Sequence, residues 1–222
     1  MKKILVIAPH PDDETLGCGG TILKHKFLGD KVYWLIVTNI SKLGGWTEEQ
    51  VNTRNLEIES ISKLYDFDSV YNLGYLAATL DSVNFSDVVK SMGNIMMEVK
   101  PDTIYVNNRS DIHTDHQVVF KAAMSCTKSF RYNFISKILM YETMSETDYS
   151  APFPDSYFIP NVYIDISDYF KKKCLIMKKY KSEVMQKPLP RSISTIEALA
   201  KLRGSRAGVE FAEAFSLVYE KL

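Results

Sequence analysis

Apolar residues recur in two spacings along the chain. Ile4 to Ala8 is apolar at every position, which predicts a strand buried on both faces, as in a parallel sheet. Val32 to Thr38 repeats that pattern, and shorter runs predict strands at Ser69–Leu73, Thr103–Val106, Lys137–Tyr141 and Val162–Ile166. Helical spacing fills the intervals. Gly17 to Leu28 carries Ile22, Leu23 and Phe27 on one side, and Gly29-Asp30 closes it. Thr47 followed by Gln50 has the spacing of a capping box, and the helix it opens runs to about Tyr65 with Leu56, Ile61 and Leu64 among its apolar positions. Ser86 to Val99 is amphipathic through Val88, Val89, Met92, Ile95, Met96 and Val99, and Lys100-Pro101-Asp102 stops it. Further helices are expected at His116–Cys126, from Ser167 to about Lys181, and at Ser194–Leu202. Strands alternating with helices predict an α/β fold: one domain over residues 1–222, a mostly parallel, Rossmann-like sheet flanked by helices. Asn39–Trp46, Gly74–Asn84 and Ser145–Pro160 read as loops, the last long enough to expect a function of it. Gly208 to Leu222 ends in an apolar stretch, Phe215–Tyr219.

Charge and cysteine content narrow the functional classes. Lys plus Arg and Asp plus Glu both number 27, so the formal net charge is zero and nucleic acid is not an expected partner. Cys18, Cys126 and Cys174 form no C-x-x-C pair and read as free thiols in a reducing cytoplasm. No run reaches the ~20 apolar residues of a transmembrane segment. Met1-Lys2-Lys3 opens like a signal peptide, but the apolar run after it is too short and Pro9-His10-Pro11 ends it. Lys171-Lys172-Lys173 and Lys178-Lys179 read as solvated faces, and His25 as an exposed surface histidine.

The remaining three of the four histidines fall in two clusters, each after an apolar strand: His10-Pro11-Asp12-Asp13-Glu14, and Asp111-Ile112-His113-Thr114-Asp115-His116. Ligands of open α/β sheets bind beyond the carboxyl ends of the strands, so the clusters read as halves of one metal site. A catalytic zinc takes three ligands from His and Asp or Glu, and His10, Asp13 and His116 supply them. Adjacent side chains diverge, so Asp12 is free to act as general base for a metal-activated water. His113 would face the reacting carbonyl, with Asp115 holding its tautomer. The carboxylates alone could be explained by a helix start, where exposed amides favour them, but that does not account for the histidines. A dinucleotide fingerprint fails, because Ile22 stands where Gly17-x-Gly19 would need its third glycine. A two-metal phosphoesterase would need more carboxylates.

At these residues the chain resembles the PIG-L / LmbE-like family of metal-dependent N-acetylglucosamine deacetylases, with their A-H-P-D-D-E and later H-x-D-H motifs. Pro9 stands between Ala8 and His10 as a small variation. Arg54 and Glu57 match an R-x-x-E of that family, Val162–Ile166 its late strand with Asp165, and Ala212-Glu213-Ala214-Phe215 its closing A-E-x-F. Gly74–Leu80 lacks an Asp often found there, and Glu183 stands where Gln is common. The resemblance implies an LmbE-like domain that hydrolyses the N-acetyl group of an N-acetylglucosamine-type sugar or conjugate, metal-bound water attacking the amide carbonyl. It implies Zn2+ at His10, Asp13 and His116, with Fe2+ also suited to that ligand set. It implies Asp12 as base, His113 with Asp115 at the oxyanion or leaving amine, and Arg54 on the substrate. The alternatives are a sugar-binding module without turnover and a metal-dependent hydrolase of another ester or amide. The expected partner is a small N-acetylated sugar conjugate, and a homo-oligomer is compatible with the sequence.

Overall fold

The computed structural model describes residues 1–222, built on one seven-stranded sheet in the order β3-β2-β1-β4-β5-β7-β6. The strands are β1 (Lys3–Ala8), β2 (Lys31–Asn39), β3 (Ser69–Leu76), β4 (Thr103–Asn107), β5 (Lys137–Tyr141), β6 (Val162–Asp165) and β7 (Ala212–Glu220). Strands β1 to β5 pair in parallel, whereas β7 runs antiparallel between β5 and β6. The helices are α1 (Asp13–Phe27), α2 (Glu48–Tyr65), α3 (Phe85–Val99), α4 (Thr114–Ser125), α5 (Phe170–Met177) and α6 (Ile193–Ala207). The expected α/β architecture is therefore present.

Central strand β1 shows why its apolar run does not alternate with polar residues. Ile4, Val6 and Ala8 face a core shared with α1, α2, α5 and α6, while Leu5 and Ile7 face another shared with α3 and α4. Both faces are covered, so every position must be apolar. The chain crosses from β1 to β2 on one side and places β4 on the other. The carboxyl ends of β1 and β4 therefore open side by side at a topological switch point.

Helix α1 starts at Asp13, four residues before the predicted Gly17, because Thr15 N and Leu16 N both donate to Asp12 O. It then breaks its ladder at Cys18 (φ −144°). The amides of Gly20 and Thr21 donate instead to the Glu213 carboxylate, at 2.9 and 2.7 Å. Lys173 Nζ completes the junction, 2.6 Å from Glu213 Oε1 and 2.9 Å from Leu16 O. The glycines of this helix allow close approach: a Cβ on Gly17 would lie 2.1 Å from the Tyr141 ring, and one on Gly20 would lie 2.7 Å from Ile166.

Several sequence expectations are corrected. Lys173 is buried, not solvated, because α5 lays it against the α1 kink. Helix α5 is shorter than the span from Ser167 to Lys181. His25 is half-buried, with Nδ1 2.9 Å from Asp30 Oδ2 and Nε2 2.9 Å from Tyr105 Oη. Phe27 and Leu56 are exposed, so they do not mark the buried stripes of their helices. The predicted capping box at Thr47 and Gln50 is present, and the three cysteines are buried and unpaired. No helix is long and apolar enough to cross a membrane.

Removing one partner of a buried ion pair leaves an uncompensated charge and costs about 3–5 kcal/mol. Lys173→Met should destabilise the fold by that amount in chemical denaturation. Combining it with Glu213→Leu should restore part of the loss.

Candidate metal centre and active site

The turn after β1, Pro9–Asp12, is fastened before it can present any side chain. Thr38 donates to Pro9 O through both its backbone N and its Oγ1, each at 2.9 Å. Arg54 Nη1 donates to Pro11 O at 3.0 Å, and Asp12 N donates to Glu14 Oε2 at 3.0 Å. These bonds hold Asp12 at φ 133°, a conformation that non-glycine residues rarely adopt and that occurs mainly where function requires it. Glu14, fully buried, also accepts a bond from Tyr180 Oη at 2.8 Å. Burial pushes its carboxyl up to about 7.

Helix α4 brings the second cluster to the same place. Asp13 Oδ2 lies 3.4 Å from His10 Nδ1 and 3.2 Å from His116 Nε2, and those two nitrogens are 3.2 Å apart. Donor atoms held tetrahedrally at ~2.0–2.2 Å from a metal are about 3.3–3.6 Å from one another, so this trio has the spacing of a metal site. The far nitrogen of each ring is held by a carboxylate. His116 Nδ1 is 2.8 Å from Asp111 Oδ2, and His10 Nε2 is 3.1 Å from Asp115 Oδ2. Such outer carboxylates fix the ring and tautomer of metal-binding histidines.

A second group of potential ligands, His10, His113 and Asp115, shares His10 with the first. It is less suited to an ion, because Asp115 already accepts from Ala78 N at 2.6 Å and Leu80 N at 3.0 Å. The electrostatics favour a cation at the first group. Burial alone would lower the His10 imidazole, but bonds to Asp115 and Asp13 outweigh it and raise it to about 9. Burial lowers His116 too, yet Asp13 and Asp111 hold it well above its ordinary value. The carboxylates thus favour positive charge between them, and a divalent ion held by His10, Asp13 and His116 would supply it.

The expected role of the Asp115 side chain differs from what is found. Its carboxylate serves His10, not His113, because α4 turns it toward the β3–α3 connection. His113 is instead the N-cap of α4, and its Nδ1 accepts from Asp115 N at 3.1 Å. A neutral His113 ring must then carry its proton on Nε2. Burial, and then the neighbouring His10, lower its pKa, so the ring is neutral at pH 7. His113 packs edge-on to His10 with ring centroids 4.6 Å apart.

His10 and Asp13 floor a cavity of about 310 Å3, which Asp12, His113, Trp46 and Glu146 also line. Arg54 is buried, not on the surface. Besides Pro11 O, it reaches Ser182 Oγ at 2.7 Å, Glu57 Oε2 at 3.3 Å and Glu183 Oε1. Each of its three nitrogens thus has a protein acceptor, and Arg54 also lines the cavity, where the sequence reading expects it on the substrate. Arg191 was not anticipated. It lies 3.5 Å from Asp12 Oδ2 and 3.1 Å from Glu183 Oε2. Burial and the adjacent Asp13 push the Asp12 carboxyl well above the usual range, against the pull of Arg191. Asp111 has no role in the sequence reading, although it opens the second cluster, five residues before His116 and ahead of the α4 N-cap His113.

Comparison with known proteins gives the family and the fold. The chain is 27% identical over 187 residues to the uncharacterized deacetylase YaiS of Escherichia coli, an alignment covering 82% of this chain and 91% of that one. It is 23% identical over 232 residues to the diacetylchitobiose deacetylase of Thermococcus kodakarensis, covering 98% and 84%. The fold matches the crystal structure of the conserved protein TT1542 from Thermus thermophilus with a TM-score of 0.79, at 23% identity and over 100% and 97% of the two chains. Residues 5–127, which carry both histidine clusters, match the profile of PIG-L, GlcNAc-PI de-N-acetylase. With those motifs converging on one metal-spaced trio, the chain belongs to the PIG-L family.

Proposed function

We propose that this deacetylase removes the N-acetyl group from an N-acetylglucosamine-type sugar or sugar conjugate, with Zn2+ as the working metal and Fe2+ as the other ion its ligand set suits. The observation that carries this is the mutual 3.2–3.4 Å spacing of His10 Nδ1, Asp13 Oδ2 and His116 Nε2 beside a buried, strained Asp12. His10, Asp13 and His116 would hold the ion. When bound, it supplies Lewis acidity, polarising the acetamide carbonyl and acidifying water.

The protein groups divide the remaining work. Asp12 takes a proton from the attacking water. Its raised pKa makes it a stronger base than an ordinary carboxylate and lets it pass that proton to the leaving amine. His113 presents Nε2–H as a neutral donor to the oxygen that gains charge as the carbonyl becomes tetrahedral. Asp111 and Asp115 keep the ligand rings in place, and Arg54 keeps the turn. The 1–222 chain acts as a single domain in this scheme. Its three buried free thiols suit a cytoplasmic setting, and its partner is a small sugar conjugate.

Metal analysis of the purified protein, with acetate release measured over a panel of N-acetylglucosamine conjugates, tests the activity. A metal-loaded protein that binds sugar but releases no acetate would make it a binding module.

The two adjacent aspartates should separate. Asp13→Ala should bind metal poorly. Asp12→Asn should keep its metal and fold while losing roughly 10²–10⁴ in kcat, the worth of a positioned general base. Metal stoichiometry beside kcat for each variant checks both expectations, and a metal-free Asp12→Asn would reverse the two roles.

The outer carboxylate gives a further expectation. Asp111→Ala should weaken metal binding by about 10–100-fold in chelator competition, because His116 then loses the partner that fixes its ring.

A further inference from the structure

The turn after β5 places two unused polar groups in the catalytic cavity. Thr143 and Glu146 both line it. Thr143 is 1% exposed, yet its Oγ1 has no hydrogen-bond partner. Glu146 is half-buried, and its carboxylate has no cation or imidazole within ion-pair distance; its one side-chain contact is Ser145 Oγ at 3.4 Å. The other carboxylates of the cavity are all matched: Asp13 by His10 and His116, Asp12 by Arg191, and Glu183 by both Arg54 and Arg191. A buried hydroxyl without a partner and a half-buried carboxylate without a counter-charge are each costly.

The turn is nevertheless built firmly. Thr147 Oγ1 accepts from Thr143 N at 2.8 Å and donates to Asp111 Oδ1 at 2.7 Å. Asp111 is the carboxylate that holds His116. Glu146 O accepts from Ile112 N at 3.2 Å, within the segment that carries His113. Ser145 adopts φ 75°, in the left-handed region, immediately before Glu146. Strain of this kind persists where surrounding bonds over-determine it, and here they fix the turn against the metal-binding segment.

We infer that Thr143 and Glu146 form the subsite for the hydroxyl groups of the sugar ring, and that they set which sugar is accepted. This rests on the sugar-deacetylase reading and extends it to a recognition element. A carboxylate only accepts hydrogen bonds, and its two oxygens match two neighbouring hydroxyl donors. Thr143 Oγ1 can donate or accept, which suits a third hydroxyl or a ring oxygen. Across the cavity, Ala77 and Ala78 of the β3–α3 connection line it and offer no side-chain acceptor. In this chain the acceptor comes from the opposite, β5 side.

Calorimetric binding of metal-loaded protein to the methyl glycoside of N-acetylglucosamine, and to its singly deoxygenated analogues, reads the subsite without requiring turnover. Glu146→Gln and Glu146→Ala should keep metal content and bind the parent glycoside roughly 10–100-fold more weakly, the range for hydrogen bonds to a charged group. Thr143→Val should have a smaller effect. Removing the matching hydroxyl from the ligand should weaken wild type and cost the Glu146 variants little more. Wild-type affinity in the Glu146 variants would overturn the inference, as would a loss that is the same for every deoxygenated analogue. Binding that depends on an ammonium group instead of hydroxyls would overturn it too, as would a wild type that binds no sugar. Sugar binding without acetate release would overturn the deacetylase reading while leaving this subsite in place.

Discussion

Burying several carboxylates at one sheet edge is the constraint on which the rest depends. An ionised carboxylate taken out of water costs several kcal/mol unless a cation or hydrogen-bond donors meet it. Around the β1 turn, Asp12, Asp13, Glu14, Asp111 and Asp115 are all essentially excluded from solvent. The structure meets them one by one. Two histidines sit between Asp13 and the outer pair Asp111 and Asp115, Arg191 faces Asp12, and Tyr180 with the Asp12 amide meets Glu14. The arrangement is strongly anionic at its centre, which is the condition for holding a divalent ion. His10 and His116 would then serve a bound ion as neutral ligands, each keeping its contact to an outer carboxylate.

The same constraint shapes the backbone. Pro9–Asp12 is drawn out of ordinary geometry because β2, α2 and Glu14 each hold one of its polar groups. Helix α1 then breaks at Cys18, and Glu213 receives the amides the break releases. A carboxylate at exposed helical amides is favoured by the dipole as well as by the bonds, and Lys173 neutralises it. The closing strand β7 is thus coupled to the first helix through two hydrogen bonds to Glu213, and through Lys173 of α5, which bridges Glu213 and Leu16 O. A C-terminal segment far away in sequence sets the position of the helix that begins at the metal turn.

Much of the fold was legible in the sequence because β1, β2 and β4 are buried on both faces and announce themselves as apolar runs. Strand β7 was not, because Ala212–Phe215 is buried while Val218, Tyr219 and Glu220 are exposed, so it shows neither continuous apolarity nor clean alternation. Helix α2 misled in a different way. Its buried face is Arg54, Glu57, Ile61 and Tyr65, so half the stripe is charged, while apolar Leu56 faces solvent. Burial of Lys173 was hidden for the same reason: periodicity reads apolar residues and cannot see a charge that meets its partner only in three dimensions. The convergence of the histidine clusters on one candidate metal centre was legible because two strand ends carried the same chemistry. The assignment of Asp115 to His113 failed because sequence proximity does not give side-chain direction. An N-cap histidine receives the amide two residues on, and the carboxylate there points elsewhere.

The glutamate at position 183 bears on how Asp12 is held. Its two oxygens accept from different guanidinium groups, Oε1 from Arg54 and Oε2 from Arg191. A glutamine would offer one acceptor oxygen and turn an amide NH2 toward an arginine that has only donors. With Glu183 in place, both guanidinium charges are anchored at one point. Arg54 fastens the turn from below through Pro11, and Arg191 reaches Asp12 from the segment that precedes α6. The planar fork of arginine allows one side chain to meet several acceptors in fixed directions, which a lysine ammonium does not do. Asp12 is thereby held between a carbonyl-anchored backbone and a guanidinium whose own position is set by Glu183. With Gln at this position, Arg191 would lose that second anchor. The Glu therefore belongs with Arg191 as one unit, and together they hold Asp12 at the cavity wall.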